Sequence, residues 1–251
     1  MKINGLIEKL DFPKKARVDR KIFKNVFFNN AILSKSQTDV FTSDIEAIRW
    51  IFALKEENTN ISSFKKDDLD YSEIQVIGIE LRSCKNNVRI AEVIHKNIQF
   101  PVILIFEFKD MVSLSIGIKR ENKADKSKSV VEEIFNTDWT DCDSEKEKAF
   151  LNSLKVVNLF HQNFYEFYKD FADRVKFFIA SIYRDYYHYE NPNKTDEIYD
   201  MYIKIKGLEE KEKKLKGLIK SSDSISAKVR LNIEIKDIEK SKYLYISSIN
   251  T

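Results

Sequence analysis

Two hundred and fifty-one residues with 43% hydrophobic and 12% aromatic side chains can bury a sizeable core, which excludes a disordered chain. Forty-three Lys and Arg against 40 Asp and Glu leave a net charge of +3, too even for a chain that coats nucleic acid along its whole length. Only five Gly are present, with neither G-x-G-x-x-G nor G-x-x-x-x-G-K-[ST], so a Gly-rich phosphate loop is excluded; Cys84 and Cys142, without C-x-x-C partners, exclude a disulfide framework and a Cys-based zinc site.

The opening stretch MKINGLIEKLDFPKK has no apolar core of signal-peptide length, and no apolar run approaches about 18 residues, so a cytoplasmic protein without a membrane span is expected. Residues 1–35 carry nine Lys/Arg against three acids, and residues 194–251 carry thirteen against ten, which leaves the middle acidic. Lys14, Lys15, Arg17, Arg20, Lys21 and Lys24 make the N-terminal cluster and are the candidate phosphate contacts. The same segment can instead fold back, because Val18, Ile22, Phe23, Val26 and Phe27 stand at helical spacing and ask for a core.

A capping box, S-D-I-E at Ser43 to Glu46, predicts a helix through Ile45, Ile48, Trp50, Ile51, Phe52 and Leu54. After a polar loop (KEENTNISSFKKDDLDYS), EIQVIGIELRS reads as a strand, with Gly78 marking a bulge or close packing. NNVRIAEVIHKNI reads as a short amphipathic helix ended before Pro101, and PVILIFEF and MVSLSIGIK as a strand pair turning at Lys109-Asp110. Strand, helix, strand, strand is an α+β order with a small mixed or antiparallel sheet. A second capping box, Ser144 to Glu147, opens a helical region in which Phe160, Phe164, Phe167, Phe171, Val175, Phe178 and Ile182 form one stripe up to Pro192. Beyond it, Ile198, Met201, Ile205, Leu208, Leu215 and Leu218, then Ile225, Val229, Leu231, Ile235, Ile238 and Tyr245, predict a helical hairpin or coiled-coil arm turning at Ser221 to Ser224. The expected organisation is an α+β domain over 1–140, an aromatic helical region over 141–192 and the hairpin over 193–251.

LDFPKKARVDRKIF, FTSDIEAIRWIFALKEENTNI, EIQVIGIELRS, NIQFPVILIFEF, the FNTDW box and the Lys/Glu helical tail together resemble the bacterial family catalogued as domain of unknown function 4391. The matching positions are Phe12, Pro13, Lys14, Ile45, Glu46, Trp50, Leu54, Glu80, Pro101, Asp138 and Trp139. The resemblance implies a place in a restriction-like antiphage system beside helicases and DNA methyltransferases, and it supplies no catalytic residues.

Candidate chemistry is sparse. Glu107-Phe108-Lys109 has the E-x-K spacing of metal-dependent nucleases, in which a carboxylate holds the ion and Lys orients water. It needs a second acid on a neighbouring strand. Glu80 and Glu46 are the nearest, with Glu46 placed on a helix and the helix over 87–98 expected to set the strand order wrong. His95, His161 and His188 are scattered, Asp185 and His188 alone share a helical spacing, and Cys84 with His95 lacks an orienting third group, so neither metal nor cofactor is expected. Twelve aromatics over 160–189, interleaved with Lys169, Arg174, Lys176 and Arg184, are either core or a base-stacking surface, with Tyr183, Tyr186, Tyr187 and Tyr189 the best placed for the latter. Trp139 plugs a core beside a turn or docks a partner. Ile205, Leu208, Leu215 and Leu218 are expected to bind a partner or a second copy. The resulting expectation is a non-enzymatic adaptor for a helicase or methyltransferase, with possible DNA contact and possible homodimerisation; a metal-dependent nuclease using Glu80, Glu107 and Lys109, or a stand-alone nucleic-acid binder, are the alternatives.

Overall fold

The computed structural model describes residues 1–30, 34–123, 129–189 and 194–250, so Pro192 lies outside the described residues. The chain divides into two compact units, Met1–Val175 and Lys176–Thr251.

The first unit is α+β. Helix α1 (Ile3–Leu10) precedes strand β1 (Arg17–Lys21), the short helix α2 (Asn25–Asn30) and α3 (Lys35–Asp44). A long strand β2 (Ile45–Lys55), a helical turn α4 (Glu56–Thr59) and a two-stranded ribbon, β3 (Phe64–Lys66) with β4 (Leu69–Tyr71), lead to β5 (Glu73–Leu81). Helix α5 (Asn87–Asn97) crosses to β6 (Val102–Phe108), which turns into β7 (Met111–Glu121) and β8 (Ser129–Asn136). Helices α6 (Glu145–Ser153) and α7 (Phe164–Ala180) follow, the latter running past the division between the units.

The main sheet has the order β1-β2-β5-β6-β7-β8. Every pairing is antiparallel except β5 with β6. That parallel pair requires a crossover, and α5 supplies it. Ile77, Ile79 and Leu81 of β5, with Val102, Leu104 and Phe106 of β6, face Ile90, Ala91, Val93 and Ile94 of α5; Phe27 and Phe41 complete this core. The alternate residues, including Gly78, face α1, where a Cβ at position 78 would stand 2.8 Å from Ile51 Cδ1 and 3.2 Å from Ile3 Cδ1. Gly78 is therefore a close-packing residue, as one of its two expected roles required.

The helix predicted from Ser43 is strand β2, and the positive spacing of apolar residues there misleads. Ile45, Ile48, Ile51, Phe52, Ala53 and Leu54 are all buried because β2 is covered on both faces, so no alternation shows. Ser43 Oγ donates to Asp44 Oδ1 at 2.7 Å instead of capping, and Glu46, with its carboxylate on Arg82 Nε at 2.5 Å, sits on a strand. The capping box of this region is Ser34 with Gln37, one helix earlier. Likewise Val18 to Phe27 is not one helix: β1 occupies 17–21, Phe27 is buried and Phe23 is exposed. The strand pair turns at Lys109 in a left-handed conformation (φ 56°), and the Ser144–Glu147 capping box is present as expected. The Phe stripe holds for Phe164, Phe167, Phe171 and Val175, all fully buried, but Phe160 lies outside the helix and is exposed.

The second unit is helical. Helices α8 (Thr195–Ser221) and α9 (Ile225–Ile249) form a hairpin whose seam holds Leu215, Ile235 and Ile238, with Leu208, Ile219 and Leu231 packed against them. Ile205 is also fully buried. Glu212, nearly buried, accepts from Lys216 one turn on and from Lys242 of α9 at 2.5 Å, tying the two helices together.

Candidate functional site

Two surfaces carry functional side chains. On the α1 side of the sheet, Lys2, Asn4, Arg17, Asp19, Arg49, Glu80 and Glu107 line an open cleft of about 480 Å³. Glu80 and Glu107 are register partners across the parallel β5–β6 pair. They stand on strands about 4.8 Å apart. The crossover through α5, expected to set the strand order wrong for a nuclease core, thus leaves Glu80 and Glu107 on adjacent strands at the same register. The rest of the nuclease constellation is not assembled. Glu107 Oε2 accepts from Ile3 N–H at 2.8 Å, satisfying a free amide at the start of α1. Lys109 lies beyond the strand end, its ammonium over the Phe108 ring at 5.3 Å, and is not among the cleft residues. Among the described residues, no three His, Cys, Asp or Glu side chains are placed to hold a metal ion.

The six basic candidates separate. Lys14, Lys15, Arg17, Arg20 and Lys21 are exposed on the turn before β1 and on β1 itself, one of the two edge strands. Arg17 pairs with Asp19 at 3.4 Å, Asp19 also pairs with Arg49 at 3.3 Å, and Lys21 lies over the Phe23 ring at 5.6 Å. Lys24 instead turns inward and donates to the carbonyls of Ile45 (2.5 Å) and Thr42 (3.3 Å); burial holds its pKa down.

The histidines stand apart. His95 is fully buried on α5, with Nε2 against Ser115 Oγ at 3.0 Å, and its ring therefore points to β7; Cys84 contributes its carbonyl to Trp139 Nε1–H at 3.1 Å. Trp139 is half-buried, edge-on to Phe108, and packs on the main core. His161 bonds the carbonyl of Val156 at 2.7 Å. A second buried base lies on the same strand as Ser115: Lys119 donates to the carbonyls of Ile98 (2.6 Å) and Phe100 (3.0 Å). Sequence reasoning passed over this polar seam, although Ser113, Ser115, Gly117 and Lys119 alternate along β7 and mark one of its faces.

In the second unit, Tyr187 is buried and Tyr186 is the exposed tyrosine of the group. The Arg184 guanidinium lies 5.2 Å from the Tyr186 ring and 5.7 Å from the Phe177 ring, in a cleft of about 700 Å³ that His188 and Lys194 also line. The hairpin carries the expected partner contacts. Of its four expected contact residues, Ile205 and Leu215 are buried, Leu208 packs against the hairpin's own seam, and only Leu218 is open, at 54% exposure. The open apolar row is instead on α9, where Ile225, Val229 and Ile233 are 80%, 53% and 56% exposed and Tyr243 and Leu244 follow. The sequence signal for this was present in the spacing of 225 and 229, but a hairpin of this composition has several candidate stripes and only packing decides which one closes.

Among the described residues, no helix is long and apolar enough to cross a membrane. No curated protein and no solved structure matches the chain significantly. A family described as Domain of unknown function (DUF4391) matches residues 10–241, nearly the full length and both units, and the chain belongs to that family.

Proposed function

We propose that this protein is a non-enzymatic accessory subunit of a bacterial restriction-like antiphage complex, which docks a helicase or DNA methyltransferase through its C-terminal hairpin. The observation that carries the reading is the outward row of α9: the hairpin closes its own seam with Ile205, Leu215, Ile235 and Ile238, yet keeps Ile225, Val229 and Ile233 in solvent. Exposed apolar side chains in contiguous rows mark interaction surfaces. The basic margin formed by Lys14, Lys15, Arg17, Arg20 and Lys21 supports an auxiliary, sequence-independent DNA contact. The test is affinity purification of the tagged full-length chain from its native host, followed by mass spectrometry. A helicase or methyltransferase should co-purify with the wild-type chain and be lost from the Ile225→Asp/Val229→Asp variant; recovery of the chain alone would overturn the proposal.

The opposition of Glu80 and Glu107 favours a second reading, a metal-dependent nuclease. Against it stand the use of Glu107 at the α1 amide and the position of Lys109. We expect no Mg²⁺- or Mn²⁺-dependent cleavage of plasmid or single-stranded DNA; cleavage that Glu80→Ala or Glu107→Ala abolishes would replace the accessory role.

A further inference from the structure

The outward row of α9 carries more than apolar area. At 100° per residue, Ile225, Val229 and Ile233 fall within about 80° of one another, and over eight residues they span about 12 Å along the axis. Lys228 and Arg230 flank the row on its two sides, and Lys236 continues it. None of these three cations has an ion-pair partner among the described residues. The acids nearby are engaged elsewhere: Glu234 pairs with Lys211 of α8 at 2.8 Å, and Asp237 faces Lys240 at 3.9 Å. Glu239 lies near enough to Lys216 of α8 to help hold that ammonium charged. The face is therefore an apolar ridge with an unmatched positive rim.

That rim decides the occupant. A second copy docked antiparallel about Val229 would set Lys228 against Lys228 and Arg230 against Arg230 of the other chain, and a parallel copy would set Lys228 against Arg230. Like charges so placed oppose association. A strand is a poor fit as well, because a helix interior offers no free backbone donors or acceptors for it to pair with. We propose that the row seats an amphipathic helix of a partner protein, with apolar residues at i, i+3/i+4 and i+7/i+8 and Glu or Asp on both sides of them. This rests on the accessory-subunit reading and gives that partner its chemistry.

The test uses the full-length chain and two fluorescein-labelled synthetic helical peptides with the same Leu stripe, one flanked by Glu and the other by Lys. Fluorescence anisotropy should show the Glu peptide binding roughly tenfold tighter than its Lys twin, with the gap narrowing as salt rises. The variant Lys228→Glu/Arg230→Glu/Lys236→Glu should invert the preference, and Val229→Asp should weaken both peptides. Val229→Thr, which keeps the side-chain shape, should weaken both to a lesser degree, and thermal melts of all variants should match the wild type. Anionic phosphatidylserine vesicles and a duplex DNA are the control probes. Absence of saturable Glu-peptide binding, a preference that does not invert, or Val229-dependent binding to vesicles or DNA tighter than to the Glu peptide would each overturn the acidic-helix proposal. Loss of helicase or methyltransferase capture in the Ile225→Asp/Val229→Asp chain, without inversion of the peptide preference, would keep the accessory role and remove the acidic helix. Inversion with capture unchanged would keep the surface chemistry and remove this row as the docking site for the helicase or methyltransferase, and recovery of the chain alone would remove the accessory role.

Discussion

His95 and Lys119 are bases placed where a charge is hard to keep. Burial, and then the Lys119 ammonium, hold the His95 imidazole well below its ordinary 6.5, and burial pushes Lys119 down from 10.5 to about 7. Both values are lower in the folded chain than in the unfolded one, so between each pair of values the unfolded chain holds the extra proton and stability rises with pH. For Lys119 this window runs from about 7 to 10.5, and for His95 it lies below 6.5. Denaturant midpoints should therefore climb from pH 7 towards pH 10, and Lys119→Met should flatten that climb; an unchanged slope in the variant would assign it to other groups. Gly117 belongs to the same seam. A Cβ there would meet His95 Nδ1 at 2.8 Å and Cγ at 3.1 Å, and the ring is held in place by Ser115. Gly117→Ala should cost about 1–3 kcal/mol, read as a lowered denaturant midpoint at constant m-value. The alternation of Ser113, Ser115, Gly117 and Lys119 was legible in the sequence, but a lysine on a strand face signals solvent by default, and only the crossover helix reveals that this face is covered.

At the scale of elements, α5 and the hairpin followed from helical periodicity, while β5, β6 and β7, buried along most of their length, followed from β-branched runs bounded by Pro101, the Lys109-Asp110 turn and polar segments. β2 did not, since burial on both faces removes the alternation that distinguishes a strand, and its three Ile with Trp50 and Phe52 were the better cue to extended backbone. The ribbon β3–β4 was lost inside a polar loop because strands of three residues are too short to show alternation. Position in the sheet also sorts the basic residues into different roles. Lys24 secures the start of β2, so Lys24→Met should lower stability by about 1 kcal/mol and leave DNA binding unchanged. Lys14→Glu/Lys15→Glu/Arg17→Glu should abolish a weak DNA affinity that falls steeply with salt, measured by fluorescence anisotropy. Unchanged binding would move the contact to the Arg184–Tyr186 cleft.

At the scale of the molecule, the first unit holds a complete sheet with helices on both faces, and the second closes its seam with its own side chains. Deleting residues 198–251 should therefore leave a chain that melts cooperatively while losing partner capture. An insoluble or molten product, seen by near-ultraviolet circular dichroism, would show that the hairpin is required for folding. The cleft carboxylates were legible as candidates for one site but not as direct partners, because their opposition across β5 and β6 depends on a parallel register that no local pattern encodes. Strand β1 is one of the two open edges of the main sheet. The register of β1 slips between Arg17 and Arg20, where Asp19 takes a left-handed φ of 51°, so its free backbone groups do not form a straight row. Such an interrupted, charged margin is a poor template for the strand of another molecule, and it guards that edge of the sheet against amyloid-like growth at high concentration. Deleting Asp19 should straighten the row and raise light scattering with protein concentration, even where the melting temperature is preserved.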